Sequence, residues 1–151
     1  MPSAAHRYLL DTNIVSDLVR DPHGATARRI ARAGEDAVCT SIVVACELRY
    51  GAAKKGSPRL AAQLESILQA LTVLPLEAEA DRHYGEIRAH LERLGRPIGA
   101  NDLLIAAHAR AAGLQLVTRN SDEFSRVPGL KVTSWPASAG RLRPIPRRRD
   151  A

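Results

Sequence analysis

Short apolar runs alternate along this chain with segments of helical period, and that alternation restricts the fold more than any other feature. The runs are residues 7–11 (RYLLD), 37–41 (AVCTS), 72–76 (TVLPL), 114–120 (LQLVTRN) and 130–135 (LKVTSW). Between the first two lie a helix from about Asn13, with Ile14, Val15, Leu18 and Val19 on one side, and, after the breaker DPHG, a strongly basic helix over ATARRIARAGE. Two helices follow the second run. IVVACELRYGAAKKG carries Ile42, Val43 and Ala45 near its start, with Thr40 or Ser41 as its cap. SPRLAAQLESILQAL opens on Ser57 as cap and Pro58 at the first helical position, with Leu60, Leu64, Ile67, Leu68 and Leu71 as its apolar face. The stripe Leu76, Ala80, Tyr84, Ile87, Leu91 and Leu94 predicts another helix, and NDLLIAAHARAAG, closed by Gly113, a last one. Strands separated by helices argue an α/β fold with a mainly parallel sheet.

At 151 residues the chain is expected to form one domain, over residues 1–136, long enough to bury a core. No apolar run approaches the ~18 residues needed to cross a bilayer, and the N-terminus lacks a signal-peptide layout, so a cytoplasmic protein without a membrane partner is expected. Cys39 and Cys46 are the only cysteines, too few for a disulfide framework or a thiolate zinc site, and both read as buried free thiols. Of the net charge of +6, +4 sits in RLRPIPRRRD near the C-terminus. Residues 137–151 are accordingly expected to be a disordered basic tail, either a loose phosphate contact or a solubilising end.

In open parallel sheets, ligands bind beyond the carboxyl ends of the strands. Asp11 ends the first strand there, and TRNSDE follows the fourth. Glu47 interrupts the apolar SIVVACELRYG, where Val44 and Leu48 share a buried side, and Asp102 stands in a helix's first turn directly before LLIAA. Singly, each has an ordinary explanation: Asp11 as a cap in DTN, Asp102 as a dipole-complementing or capping acid beside Asn101, Glu47 as a helix residue paired with Arg49 or Lys54. Together, three acids at one sheet edge would repel one another unless a cation neutralised them. Carboxylate oxygens suit Mg2+, with Mn2+ also possible, and the chemistry that goes with such a site is phosphoryl transfer.

The segments YLLDTNIVSDLV, SIVVACELRYGA, PIGANDLLIAAHA and LVTRNSDEFSRVPGLKV resemble, in order and spacing, the motifs of PIN-domain proteins, specifically the VapC toxins of bacterial VapBC toxin–antitoxin pairs. The resemblance covers roughly residues 7–135. It implies a three-layer α/β/α sandwich and a Mg2+-dependent endoribonuclease acting on structured RNA such as tRNA or ribosomal RNA. It also implies Asp11 and Asp102 as direct metal ligands and Glu47 as a ligand through water or the group that orients the attacking water. Thr12 or Asn13 would support Asp11, and Thr118 would hold the site from strand four. Many relatives place a fourth acid where this chain has Asn120, which leaves Asn120, Asp122 or Glu123 for that position. The implied partners are RNA, a VapB-like antitoxin lying along a groove near the site and offering an arginine to the acids, and a second copy joined through the helices of residues 42–70.

With five aromatics in the chain no stacking platform is evident, so RNA recognition would lean on phosphates, through Arg28, Arg29 and Arg32 of the basic helix or Arg119 beside the site. Those arginines also read as a solvated face. Two other functions remain open: a non-catalytic nucleic-acid-binding regulator on the same fold, and another metal-dependent phosphohydrolase. A haloacid-dehalogenase-type phosphatase wants a second acid two positions after the first, where Asn13 stands.

Overall fold

The computed structural model describes residues 6–135. The expected tail at 137–151 lies outside the described residues. Five strands, β1 (Tyr8–Leu10), β2 (Val38–Ser41), β3 (Thr72–Leu74), β4 (Gln115–Val117) and β5 (Val132–Thr133), form one sheet in the order β3-β2-β1-β4-β5. Every neighbouring pair is parallel. Around it lie α1 (Thr12–Arg20), α2 (Ala25–Ala33), α3 (Ile42–Lys55), α4 (Pro58–Ala70), α5 (Ala80–Arg93), α6 (Ala100–Ala112) and the single turn α7 (Ser121–Phe124). Helices α1 to α4 pack among themselves and α5 packs on α6. Right-handed crossovers carry the two groups to opposite faces, which makes the three layers. Leu9, Leu10, Ile14, Val15, Val44, Ile87, Leu91, Ile105, Leu116 and Phe124 fill the core between them.

Local chemistry accounts for most of the element starts. Ser41, the last residue of β2, caps α3 by accepting from Val43 N at 3.0 Å, and Ser57 caps α4 by accepting from Leu60 N at 3.2 Å, with Pro58 in the first turn. Three expectations change. The stripe from Leu76 begins late: Leu76 is exposed, Glu79 adopts a φ of 88°, and α5 starts at Ala80; Leu94 lies just past the other end and is exposed too. The fifth strand shrinks to two residues, and the loop after β4 makes the extra turn α7. Cys46 is exposed, unlike Cys39. On α3 the buried positions are Val43, Val44, Ala45 and Ala52, so Cys46, one turn beyond the exposed Ile42, shares its outward side. Cys39 sits in β2 with its thiol 3.4 Å from Tyr8 O, and burial pushes that thiol up to about 12.

No helix among the described residues is long and apolar enough to cross a membrane.

Candidate active site

The strand order reverses between β1 and β4: the chain steps from β1 to β2 to β3 on one side, then returns to β4 and β5 on the other. Such a reversal opens a crevice at the carboxyl ends of the two central strands. Asp11 follows β1 directly, anchored by its backbone N–H on Val117 O at 2.9 Å, and Thr118 follows β4. Asp11 is 4% exposed and has two donors. Thr12 N donates to its Oδ1 at 2.7 Å, which makes Asp11 the cap of α1, and the Thr118 hydroxyl donates to its Oδ2 at 2.7 Å. Capping and site membership therefore coincide in one side chain. Thr118 in turn accepts from Asn120 N at 2.9 Å.

Glu47 reaches the same crevice from the second turn of α3. The Thr12 hydroxyl donates to its Oε1 and Asn101 Nδ2 to its Oε2 at 3.1 Å, so both oxygens are oriented. Neither Arg49 nor Lys54 pairs with it; Arg49 instead bridges to Glu65. Asp102, in the first turn of α6, completes the trio. A fourth acid joins it. Glu123 of α7 is half-buried and near enough to Asp102 to raise its pKa, while Asp122 is exposed. The buried Phe124 roots α7 in the core, and the half-buried Glu123 beside it accepts from the Asn120 amide at 2.5 Å. Asn120 thus meets the fourth acid rather than replacing it.

The electrostatics follow from this crowding. Burial raises Asp11 above the ordinary carboxylate range, the bonds from Thr118 and Thr12 pull it back, and the charges of Glu47 and Glu123 push it up again. Asp102 is pushed to about 7, first by burial, then by Glu123 and by the charges of Asp11 and Glu47. Among the described residues none of the four acids forms an ion pair. The cluster brings carboxylates together without a cationic partner, the condition that a hard divalent cation relieves. An all-oxygen donor set fits Mg2+ or Mn2+. Among the described residues no three His, Cys, Asp or Glu side chains are grouped closely enough to hold a metal ion by themselves, so an ion bound here would have to keep several of its own waters.

The basic residues are placed elsewhere. Arg119 grips both carboxylate oxygens of Asp17, with Nη2–Oδ1 at 3.1 Å, and donates to Asn13 O at 3.2 Å, while its N–H reaches Asn13 Oδ1 at 3.4 Å. It fastens the loop after β4 to α1 and is not free for a phosphate. Arg29 stacks over the Trp135 ring at 5.2 Å, and Trp135 packs on Tyr8, the first residue of β1. Helix α2 leads through a short turn at Glu35–Ala37 into the start of β2, so Arg29 and the exposed Arg32 lie toward the amino edge, away from the acids. Arg28, also exposed, bonds only His23 O at 3.3 Å.

A model of the PIN domain matches residues 8–130. The chain belongs to the PIN-domain family. A tRNA(fMet)-specific endonuclease VapC of Shigella flexneri is 40% identical over 130 residues, 85% of this chain and 98% of the relative. Ribonuclease VapC2 of Haemophilus influenzae is 42% identical over 131 residues with the same coverage. VapBC2 of Rickettsia felis, solved with a DNA fragment from its promoter, superposes with a TM-score of 0.79 at 34% identity over 85% of this chain and 98% of that one. DNA-bound VapBC of Salmonella typhimurium gives 0.78 at 34% identity over 87% and 99%. Within the PIN family the chain groups with the VapC ribonucleases, and its chemistry is that of a nuclease.

Two contributors to this candidate site escape a reading of the sequence. Asn101 looks like a cap, yet Gly99 takes that position and frees the Asn101 amide for Glu47. Asp17 looks like an ordinary helix acid, and nothing in its neighbourhood along the chain signals Arg119, 102 residues away.

Proposed function

We propose that this protein is the toxin of a VapBC pair and cuts RNA internally with Mg2+ as cofactor, Mn2+ serving as substitute, and that tRNA or ribosomal RNA is its target in the cytoplasm. The observation that carries the reading is the convergence of Asp11, Glu47, Asp102 and Glu123 at the β1–β4 crevice without a cationic side chain among them. The ion supplies a polarised phosphate, a water of lowered pKa and a steadied leaving oxygen. Asp11 and Asp102 hold it. Thr118 and the α1 amide aim Asp11 and favour its charged form against its burial, and Asn101 and Thr12 keep Glu47 in one orientation. From there Glu47 orients the attacking water and accepts its proton as the water oxygen bonds to phosphorus and the bridging P–O bond breaks. The S. flexneri relative's name supports tRNA as the substrate class.

An apolar groove of about 200 Å3 between α1, α3 and α4 opens onto Glu47, lined by Val19, Leu48, Ala52, Leu60 and Leu64 with Arg20 and Lys55 at its rim. It supports a VapB-like antitoxin as partner, laid along the groove with an arginine forked onto the acids. The exposed Ile42 and Tyr50 of α3 support a homodimer through residues 42–70.

The test is cleavage of total RNA by purified protein in Mg2+, Mn2+ or EDTA, with mapped ends. Discrete metal-dependent cuts that vanish in Asp11→Asn are expected. Cleavage that persists in EDTA or in Asp11→Asn would overturn the assignment.

A further inference from the structure

Helices α3 and α6 carry Glu47 and Asp102, and they are joined at two points. One is the Asn101–Glu47 bond at the site. The other is remote from it: Ser41 Oγ lies 2.7 Å from His108 Nδ1, with Ser41 fully buried and His108 5% exposed. From Ser41 to Glu47 is about 9 Å along α3, and from Asn101 to His108 about 10 Å along α6. The pairing 41 with 108 and 47 with 101 therefore makes two matched rungs between helices running in opposite senses. Ser41 Oγ also accepts from Val43 N, so this one hydroxyl ties His108 to the cap of α3; in the tautomer protonated at Nε2 the hydroxyl proton goes to His108 Nδ1. Burial lowers the imidazole's pKa, although the charge of Glu77 opposes it, and the neutral ring is the form that can accept at Nδ1.

We infer that His108 is a positioning residue of the nuclease: through Ser41 it locks α6 against α3 and so sets where Asp102 stands relative to Glu47 and Asp11. With only the Asn101–Glu47 rung, α6 pivots about that exposed bond, and the aspartate one residue further on moves with it. Small displacements suffice. A misplacement of about 1 Å at a reacting centre lowers turnover by about 100-fold. Helix α6 packs on α5 and touches the sheet at β4, whereas α3 springs directly from β2, so the bonds of His108 to Ser41 and of Asn101 to Glu47 tie α6 to the β2 side of the site.

The experiment compares wild type with His108→Leu, His108→Asn and Ser41→Ala/His108→Leu, well below each melting temperature. Two readings are taken: steady-state RNA cleavage in Mg2+, and amide hydrogen exchange at Leu103 and Leu104 in metal-free protein. The leucine variant is expected to lose kcat by tenfold or more at unchanged KM and to exchange faster in the first turn of α6. His108→Asn, whose side-chain oxygen can take the place of Nδ1, is expected to recover most of both. The paired variant leaves neither the hydroxyl nor the ring nitrogen orphaned, only Val43 N without its cap, so it keeps the test alive if His108→Leu alone does not fold. Wild-type kcat and exchange in the leucine or paired variant overturns the inference, as does an asparagine variant no better than leucine. If wild-type protein itself fails to cut RNA, the proposed function falls, and the exchange measurement alone decides the role of His108.

Discussion

Asp11 and Asp102 belong to one site, yet their surroundings treat their charges differently. Burial raises both. Around Asp11 two donors, Thr12 N and the Thr118 hydroxyl, offset it; around Asp102 every influence pushes the same way, and the pKa reaches about 7. The difference is one of donors rather than depth, since Asp11 is the more buried of the two. Hydrogen bonds to a carboxylate stabilise its charged form, whereas a second carboxyl group can bond to it only by way of a proton. The β1 side of the crevice thus answers the burial of its acid with hydrogen-bond donors, and the α6 side leaves its acid among other carboxyl groups.

The sharpest way to break this contrast is to neutralise each acid. Asp11→Asn and Asp102→Asn are both expected to lower cleavage by at least about 100-fold. Their stabilities should move in opposite directions in EDTA at pH 8. Asp11→Asn keeps an oxygen that can cap α1 but loses the charged acceptor of Thr12 N and the Thr118 hydroxyl, at about 1–3 kcal/mol, while Asp102→Asn relieves repulsion and melts higher than wild type. Denaturant titration of the two variants side by side checks this, and a shared direction would erase the distinction.

Removing one donor is the next step down. Thr118→Val leaves Asp11 Oδ2 and Asn120 N without partners and is expected to destabilise by about 1–3 kcal/mol, with the carboxyl pKa of Asp11 raised further in an NMR titration. The pH dependence then separates the halves without mutating the β1 side. The folded-state pKa of Asp102 lies above its unfolded value, so its contribution to stability is full below about pH 4 and is lost as pH rises through about 7. In EDTA, wild type should lose stability over that window relative to Asp102→Asn, as read by melting temperature from pH 4 to 8. A parallel pair of curves would mean that Asp102 titrates normally. The smallest effect is expected far from both acids. Arg29→Ala removes the stack on Trp135, at about 0.5–1 kcal/mol, and should leave cleavage unchanged; a weakened RNA KM would return α2 to the substrate surface.

Much of the site is legible along the chain because its parts stand at element boundaries. Asp11, Glu47, Asp102 and Thr118 each lie next to a strand end or in the first turns of a helix, where periodicity and capping residues mark the position. The loop after β4 is less legible. TRNSDEF holds three polar candidates for one place, and only the folded turn of α7 shows that Glu123, rather than Asp122, comes near Asp102. The arginines show the same limit: on the sequence Arg119 sits beside the acids and the α2 cluster reads as a phosphate surface, but Asp17 and Trp135 take up Arg119 and Arg29. His108, one histidine in an alanine-rich stretch, carries no local mark of its partner 67 residues away.

Element type, order and parallel direction were determined by the sequence alone, since hydrophobic period, caps and breakers act over a few residues. Which strands are neighbours, which acid turns inward, whether Cys46 is covered and which cations are already engaged were decided only by the tertiary structure. Those outcomes depend on contacts between segments tens of residues apart, whose free energy arises from packing and desolvation after the elements have met.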